Sequence, residues 1–136
     1  MENGWASESY TVKTSDNYVS QLFRIPRKIG EDGSKKKPAV LMMHGIECNS
    51  MFYMLNTVDK NPAWIMAEQG YDVWLGNNRG NNFAVYNTEL SHKDKEFWDF
   101  SWEEMGTHDT PAFIDFILGK TGLKNLTYIG HSEGTT

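Results

Sequence analysis

The sequence contains a single cysteine, Cys48, so no internal disulfide can form and no cysteine-rich metal site exists. No apolar run reaches the length of a membrane span. Eighteen acidic residues against thirteen basic ones give a net charge of −5, which argues against a nucleic-acid-binding surface. The four histidines lack ligand spacing, so neither a metal nor a cofactor is predicted. With 136 residues, the remaining expectation is one ordinary domain.

The amino terminus also lacks a recognisable targeting signal. Its first twenty residues are polar and contain no apolar segment of the kind found in signal peptides. If Met1 is the true start, a cytosolic product is expected. If the sequence is a piece of a longer one, Met1 carries no information about the compartment.

Alternation with period two predicts an opening β-hairpin over Glu8–Thr14 and Tyr18–Ile25, with its turn at residues 15–17. Asn17 suits that turn because asparagine tolerates a positive φ angle. Residues 27–37 are charged and contain two glycines, which predicts a surface loop. Its lysine run at 35–37 fits either a solvated loop or a patch for anionic lipid.

Beyond this loop, strand and helix patterns alternate. Ala39–Met43 is continuously apolar, as expected for a central strand buried on both faces, and Tyr71–Leu75 is predicted as the next strand. Residues 62–69 begin with proline and precede glycine, which predicts a helix. A capping-box pattern opens a short helix at Ser101, and a second helix is predicted with Thr110 as its N-cap. The order indicates an α/β sheet with parallel inner strands.

The motif that carries chemistry is G-x-S-x-G at residues 130–134, which follows the apolar, β-branched run 126–129. A strand, a sharp turn and the start of a helix form the context in which this motif presents a serine nucleophile. Ser132 is therefore the predicted nucleophile. A serine hydroxyl needs a histidine base and a carboxylate, which follow the serine in this class of enzyme. Neither partner follows here, so the hydrolase domain is expected to be incomplete, truncated just after the turn.

Acyl transfer also requires backbone N–H donors for the developing oxyanion. One donor follows the nucleophile directly, which makes the Glu133 amide a candidate. The other comes from the loop after an earlier strand, where His44-Gly45-Ile46 offers the Ile46 amide. Both pieces are expected to meet at the carboxyl ends of adjacent parallel strands.

The chain resembles the amino-terminal part of the acid lipase family, which includes gastric and lysosomal acid lipases. The similarity runs in order through nearly the whole chain, and its most characteristic block is Gly70–Asn77. The other matching segments are 8–14, 23–26, 44–45, 79–81, 97–98, 100–101, 111–112, 114–117, 130–132 and 134–136. The resemblance implies an α/β-hydrolase that cleaves carboxylic esters of neutral lipids at a lipid–water interface, with Ser132 as nucleophile and the Ile46 and Glu133 amides as oxyanion hole. It also implies a secreted or lysosomal protein; it names no protein partner.

Two departures from the family pattern place carboxylates near the expected site. The family usually has glutamine where Glu133 stands, and small or aliphatic residues where this chain has Glu47-Cys48-Asn49. A carboxylate beside a developing oxyanion opposes it electrostatically unless the side chain points away. These departures leave open a truncated, non-catalytic paralogue that serves as a binding or structural subunit, and also a hydrolase for thioesters, wax esters or peptides.

Three further groups have competing interpretations. His131 adjoins the predicted nucleophile, but a structural residue hydrogen-bonded beneath the turn is favoured over a local base. Arg79 is interpreted as a buried arginine that holds loops together, since no phosphate-binding motif surrounds it. The aromatic residues at 97–102 are assigned to core packing, with contact to lipid as the alternative.

Overall fold

The computed structural model describes residues 4–136, and its chain opens with a β-hairpin. Strand β1 (Glu8–Lys13) pairs antiparallel with strand β2 (Tyr18–Ile25). In the turn between them Asn17 has φ +75°, in the left-handed region that asparagine tolerates better than most residues. The predicted hairpin is confirmed, and its turn has the expected conformation.

The hairpin extends a mixed sheet whose inner strands are parallel. The remaining strands are β3 (Ala39–Met43), β4 (Asp72–Leu75), β5 (Tyr86–Asn87) and β6 (Thr127–Gly130). The order is β1-β2-β4-β3-β6, with β5 paired to β2, and β3 runs parallel to both β4 and β6. The predicted α/β fold is confirmed. Since β3, β4 and β6 point the same way, their carboxyl ends lie at one edge of the sheet.

Both faces of the sheet are covered, which explains why β3 is continuously apolar. Side chains alternate between the faces of a strand, so Val40 and Met42 join one core cluster while Leu41 and Met43 join the other. The first cluster includes Trp64 of helix α1 (Pro62–Glu68), and the second includes Phe113 and Ile117 of helix α3 (Thr110–Thr121).

The third helix begins earlier than its sequence predicts. Helix α2 (Trp102–Glu104) starts at Ser101 with the predicted capping box and continues through a π-helical turn, Met105–Asp109, directly into α3. Thr110 has helical angles (φ −59°, ψ −48°), so the prediction that it is an N-cap is wrong. The wider turn fits Pro111, which lacks the N–H that an uninterrupted α-helix needs there. Within residues 4–136, no helix has the length and apolarity to span a membrane.

Helix α3 runs past Gly119 and ends at Gly122, where φ is +67°. An added Cβ at Gly119 meets no atom within 4 Å. Gly119→Ala is therefore expected to raise the free energy of unfolding by about 0.5–1 kcal/mol, since glycine is a poor helix former. Urea denaturation followed by circular dichroism measures the change, and a loss of stability would contradict it.

Candidate active site

The turn after β6 holds Ser132 in a strained, exposed position. Ser132 has φ +53°, which is uncommon for a residue with a Cβ and is often associated with functional sites. The preceding residue is fixed to the neighbouring strand, because the His131 amide donates to the Met43 carbonyl at 3.0 Å. Ser132 is exposed. Strand β6, the turn and the start of a 3₁₀ turn at Ser132–Thr135 are the local structure that the motif predicts.

The two glycines of the motif permit a close approach that no side chain would. An added Cβ at Gly130 would lie 2.1 Å from the Gly134 carbonyl oxygen. One at Gly134 would lie 2.6 Å from the Met43 carbonyl oxygen, at the end of β3. The turn therefore folds back against both its own strand and the adjacent one, and glycine is required sterically at both positions.

The loop after β3 lies directly against this turn. A Cβ added at Gly45 would lie 3.0 Å from the Cβ of Ser132, so the two loops are in contact. The Cys48 amide donates to the Gly45 carbonyl at 3.3 Å, which closes a tight turn in which Glu47 takes φ +55°. Within residues 4–136, no acceptor receives the Ile46 amide in this turn or the Glu133 amide after Ser132. Both predicted oxyanion donors are thus free of partners in that part of the chain.

His44 joins the loop after β3 to the loop after β4. Its Nδ1 lies 2.8 Å from the Gly45 carbonyl oxygen, and the Asn78 amide donates to its Nε2 at 3.1 Å. These contacts require a neutral ring that donates at Nδ1 and accepts at Nε2. Burial lowers the pKa of His44 below its ordinary value of 6.5. His44 therefore acts as a neutral structural bridge.

This burial predicts a dependence of stability on pH. Below pH 6.5 the unfolded chain binds a proton at His44 before the folded chain does, so stability falls as pH decreases from 7 to 5, by at most about 1.4 kcal/mol per pH unit. Urea denaturation at each pH measures it, with His44→Gln as the comparison. A variant as steeply pH-dependent as the wild type would contradict the assignment to His44.

Arg79 holds three separate segments together beneath the site. Its Nη2 donates to Asp109 of the π-helical turn at 2.8 Å, and its Nη1 donates to Asp16 of the hairpin turn at 2.6 Å. The guanidinium also lies 3.9 Å from the centre of the Tyr18 ring. Burial opposes its charge, yet the hydrogen bonds to both carboxylates raise the pKa of Arg79 above its ordinary value. The interpretation of Arg79 as a buried structural residue is confirmed.

A cleft of about 590 Å³ opens beside the serine turn, within the size range of small-molecule sites. Ile46, Trp98 and Trp102 line it, and each of these residues is about half or more exposed (65%, 47% and 56%). Core packing was predicted for the aromatic residues at 97–102; Phe97 is fully buried, but the prediction is wrong for Trp98 and Trp102. The capping box at Ser101 places Trp102 in the first turn of a helix but carries no information on its burial.

The cleft is also bordered by the two acidic residues that depart from the family pattern. Glu47 and Glu133 both line it, so the structure brings both acidic positions to the site. Asn78 lines it too, and its buried Oδ1 has no hydrogen-bond partner within residues 4–136. No sequence signal singled out Asn78 for this position.

His131 is exposed and does not sit beneath the turn. Its ring centre lies 4.4 Å from that of Phe52, and its side chain makes no hydrogen bond within residues 4–136. The expectation of a hydrogen-bonded residue beneath the turn is therefore wrong. Aromatic contact with Phe52 holds the ring instead.

These features, a serine on a tight strand-to-helix turn beside a loop from the adjacent parallel strand, define an α/β-hydrolase type of site. The sequence model of the family described as "alpha/beta hydrolase fold" matches residues 38–136, and a "Partial alpha/beta-hydrolase lipase region" matches residues 1–57. The chain belongs to the α/β-hydrolase family.

Curated relatives confirm the resemblance to acid lipases. The chain is 44% identical to human gastric triacylglycerol lipase over 98% of its own length, and 42% identical to human lysosomal acid lipase/cholesteryl ester hydrolase over the same share. In both cases it spans only 34% of the relative's length. The chain therefore corresponds to about one third of these lipases.

Solved structures support the fold. An esterase from Pyrococcus furiosus matches with a TM-score of 0.67 at 14% identity, over 96% of this chain and 43% of that one. Brefeldin A esterase, a bacterial homologue of human hormone-sensitive lipase, matches with a TM-score of 0.61 at 17% identity, over 98% of this chain and 33% of that one.

Proposed function

We propose that the chain is the nucleophile-bearing part of a serine ester hydrolase, in which Ser132 Oγ attacks the ester carbonyl and forms an acyl-enzyme. The observation that carries this proposal is the exposed Ser132 at φ +53°, on a turn packed against the end of β3. Strained backbone at such a turn is retained where it serves to aim a side chain.

The Ile46 and Glu133 amides are proposed as the oxyanion hole. Two features support this assignment: the contact between Gly45 and Ser132, and the lack of a protein acceptor for either amide within residues 4–136. In hydrolases, each donor of this kind contributes about 10²–10³ in rate. Because both donors are backbone groups, the replacement of the family's glutamine by Glu133 leaves the donor itself unchanged.

Neutral lipid esters are the proposed substrate class. The exposed side chains of Ile46, Trp98 and Trp102 give the cleft an apolar rim, whereas Glu47 and Glu133 disfavour an anionic substrate. The relatives named for triacylglycerol and cholesteryl ester hydrolysis support the same class. Exposed tryptophans suit a lipid–water interface, since they combine a large apolar body with a polar N–H group.

The base and the acid of the triad are proposed to lie in the two thirds of the relatives' length that this chain does not span. Ser132 Oγ has no hydrogen-bond partner within residues 4–136, so nothing in this part activates it. The 136 residues alone are therefore expected to show no turnover at a hydrolase rate.

Fluorophosphonate labelling tests the proposal. The 136-residue chain and a product of the complete transcript are treated alike, the labelled residue is mapped by mass spectrometry, and hydrolysis of triacylglycerol and cholesteryl ester emulsions is measured. Rapid labelling of Ser132 in the longer product, lost in Ser132→Ala, is expected. Ser101 lines the same cleft and is the internal control. Label on Ser101, or a transcript that continues without a downstream acid and histidine, would overturn the proposal.

A further inference from the structure

A second cavity, of about 280 Å³, lies at the opposite end of the parallel strands from Ser132. Asp72 lines it, and this residue begins β4 beside Ala39, which begins β3. The walls come from three segments: the end of β2, the loop 27–37 and the end of α3. Since Ser132 follows the carboxyl end of β6, this cavity is separate from the candidate active site.

Unpaired positive charge dominates the walls. Four of the lining cations have no carboxylate within ion-pair distance in residues 4–136; they are Arg27, Lys35, Lys36 and Lys120. The other two are neutralised, Arg24 by Asp72 and Glu8, and Lys37 by Glu31. Asp32 is the only lining carboxylate outside these pairs among the described residues. Six lining cations therefore stand against four carboxylates, counting those that pair with them, which leaves a local excess of two positive charges in a protein whose net charge is −5.

Local contacts hold the loop that carries most of these cations. Glu31 pairs with Lys37 at 2.9 Å and accepts the Lys28 amide, which closes the loop at its base. Asp32 accepts both the amide and the hydroxyl of Ser34. The Arg27 guanidinium packs over Gly33, and a Cβ added at Gly33 would lie 3.3 Å from it. Lys35 and Lys36 thus extend from an ordered segment, which reduces the entropy lost on binding.

We propose that this cavity binds a phosphate-bearing ligand. Clustered cations repel one another, and an anion with several oxygen acceptors relieves that repulsion while it receives charge-assisted hydrogen bonds from guanidinium and ammonium groups. The concave shape favours a compact phosphate group over the flat surface of a bilayer. The proposal is independent of ester hydrolysis, because no residue of the serine site lines this cavity.

The phosphate group could belong to a soluble molecule or to a lipid headgroup, and two probes distinguish these sources. Inositol hexakisphosphate is titrated into the ¹⁵N-labelled chain at low and moderate salt, with amide shifts followed by NMR. Vesicles of phosphatidylcholine with and without a phosphatidylinositol phosphate are tested by co-sedimentation. Binding of inositol hexakisphosphate is expected to shift the amides of residues 33–37 and 120–123, whereas recognition of a lipid headgroup is expected to raise the sedimented fraction only with vesicles that contain the phosphatidylinositol phosphate.

Matched double variants decide whether the cavity is responsible. Lys35→Gln/Lys36→Gln is expected to weaken binding at least tenfold, while Lys93→Gln/Lys95→Gln removes the same charge outside the cavity and leaves affinity within twofold. Circular dichroism establishes that both variants fold. If neither probe binds, or both double variants weaken binding equally, the proposal is overturned. Its failure would not affect labelling of Ser132.

Discussion

Replacing Arg79 by methionine is expected to lower the free energy of unfolding by about 3–5 kcal/mol, because it leaves a buried carboxylate without its counter-charge. Side-chain exposure is 1% for Arg79 and 0% for Asp109. Arg79 also donates through its backbone amide to Asp109 at 2.9 Å, so the loop after β4 and the π-helical turn are joined by both main chain and side chain. Urea denaturation at pH 7 measures the loss.

The sign of the pH dependence gives this prediction a second test. Burial raises the pKa of Asp109 despite the Arg79 hydrogen bonds that lower it, and removing Arg79 removes this opposing effect. Asp109 therefore takes up a proton more readily in the folded variant than in the unfolded one. This proton uptake stabilises the folded variant as the pH falls. Burial also opposes the ionisation of Asp16 in the wild type, but hydrogen bonding to Arg79 lowers its pKa below 3.8. The lowered pKa stabilises the folded wild type at neutral pH, and this stabilisation is lost as the pH falls through the pKa of Asp16. The difference in the free energy of unfolding between the wild type and Arg79→Met should therefore become smaller as the pH falls from 7 towards 4.

Two further variants separate the charge effect from a loss of packing. Lys93→Met removes a surface cation outside this cluster and should change stability by less than about 0.5 kcal/mol. Arg79→Met/Asp109→Leu removes both buried charges and should recover part of the loss, since apolar residues often replace buried ion pairs well. Equal losses in the single and double variants, at every pH, would contradict the account.

Local patterns were enough to predict most of the elements that position the site. The hairpin, strand β3 and the serine turn each depend on residues adjacent in sequence: alternation for β1 and β2, an apolar run for Ala39–Met43, glycine spacing around Ser132. The contact between the loops at Gly45 and Ser132 follows from strand order, because β3 and β6 are neighbours.

The features that the sequence did not predict depend on contacts between distant residues. Thr110-Pro111 has the pattern of a helix start, yet the capping box at Ser101 and the tie from Asp109 to Arg79, thirty residues away, continue the helix through it. Nothing local distinguishes buried Phe97 from exposed Trp98. The cavity beside residues 27–37 likewise requires the end of α3, which joins that loop only in the folded chain.

Gly134→Ala is expected to lower the free energy of unfolding by about 3 kcal/mol, at the upper end of the range for overpacking. The new methyl group would lie 2.6 Å from the Met43 carbonyl oxygen and 2.8 Å from that of His44. The Met43 carbonyl cannot withdraw easily, because it accepts hydrogen bonds from the His131 amide and from the Tyr53 hydroxyl. Burial raises the pKa of Tyr53 to about 12, so this hydroxyl remains a donor at neutral pH.

The turn at Ser132–Thr135 must therefore move away from β3, and the position of Ser132 changes with it. Urea denaturation measures the loss, and in a protein from the complete transcript the rate of fluorophosphonate labelling at Ser132 should fall in parallel. Gly119→Ala is the matched control, since the same methyl group there meets open space. Equal effects at both glycines would show that the close approach to β3 does not hold the turn, and the steric basis for presenting Ser132 would be lost.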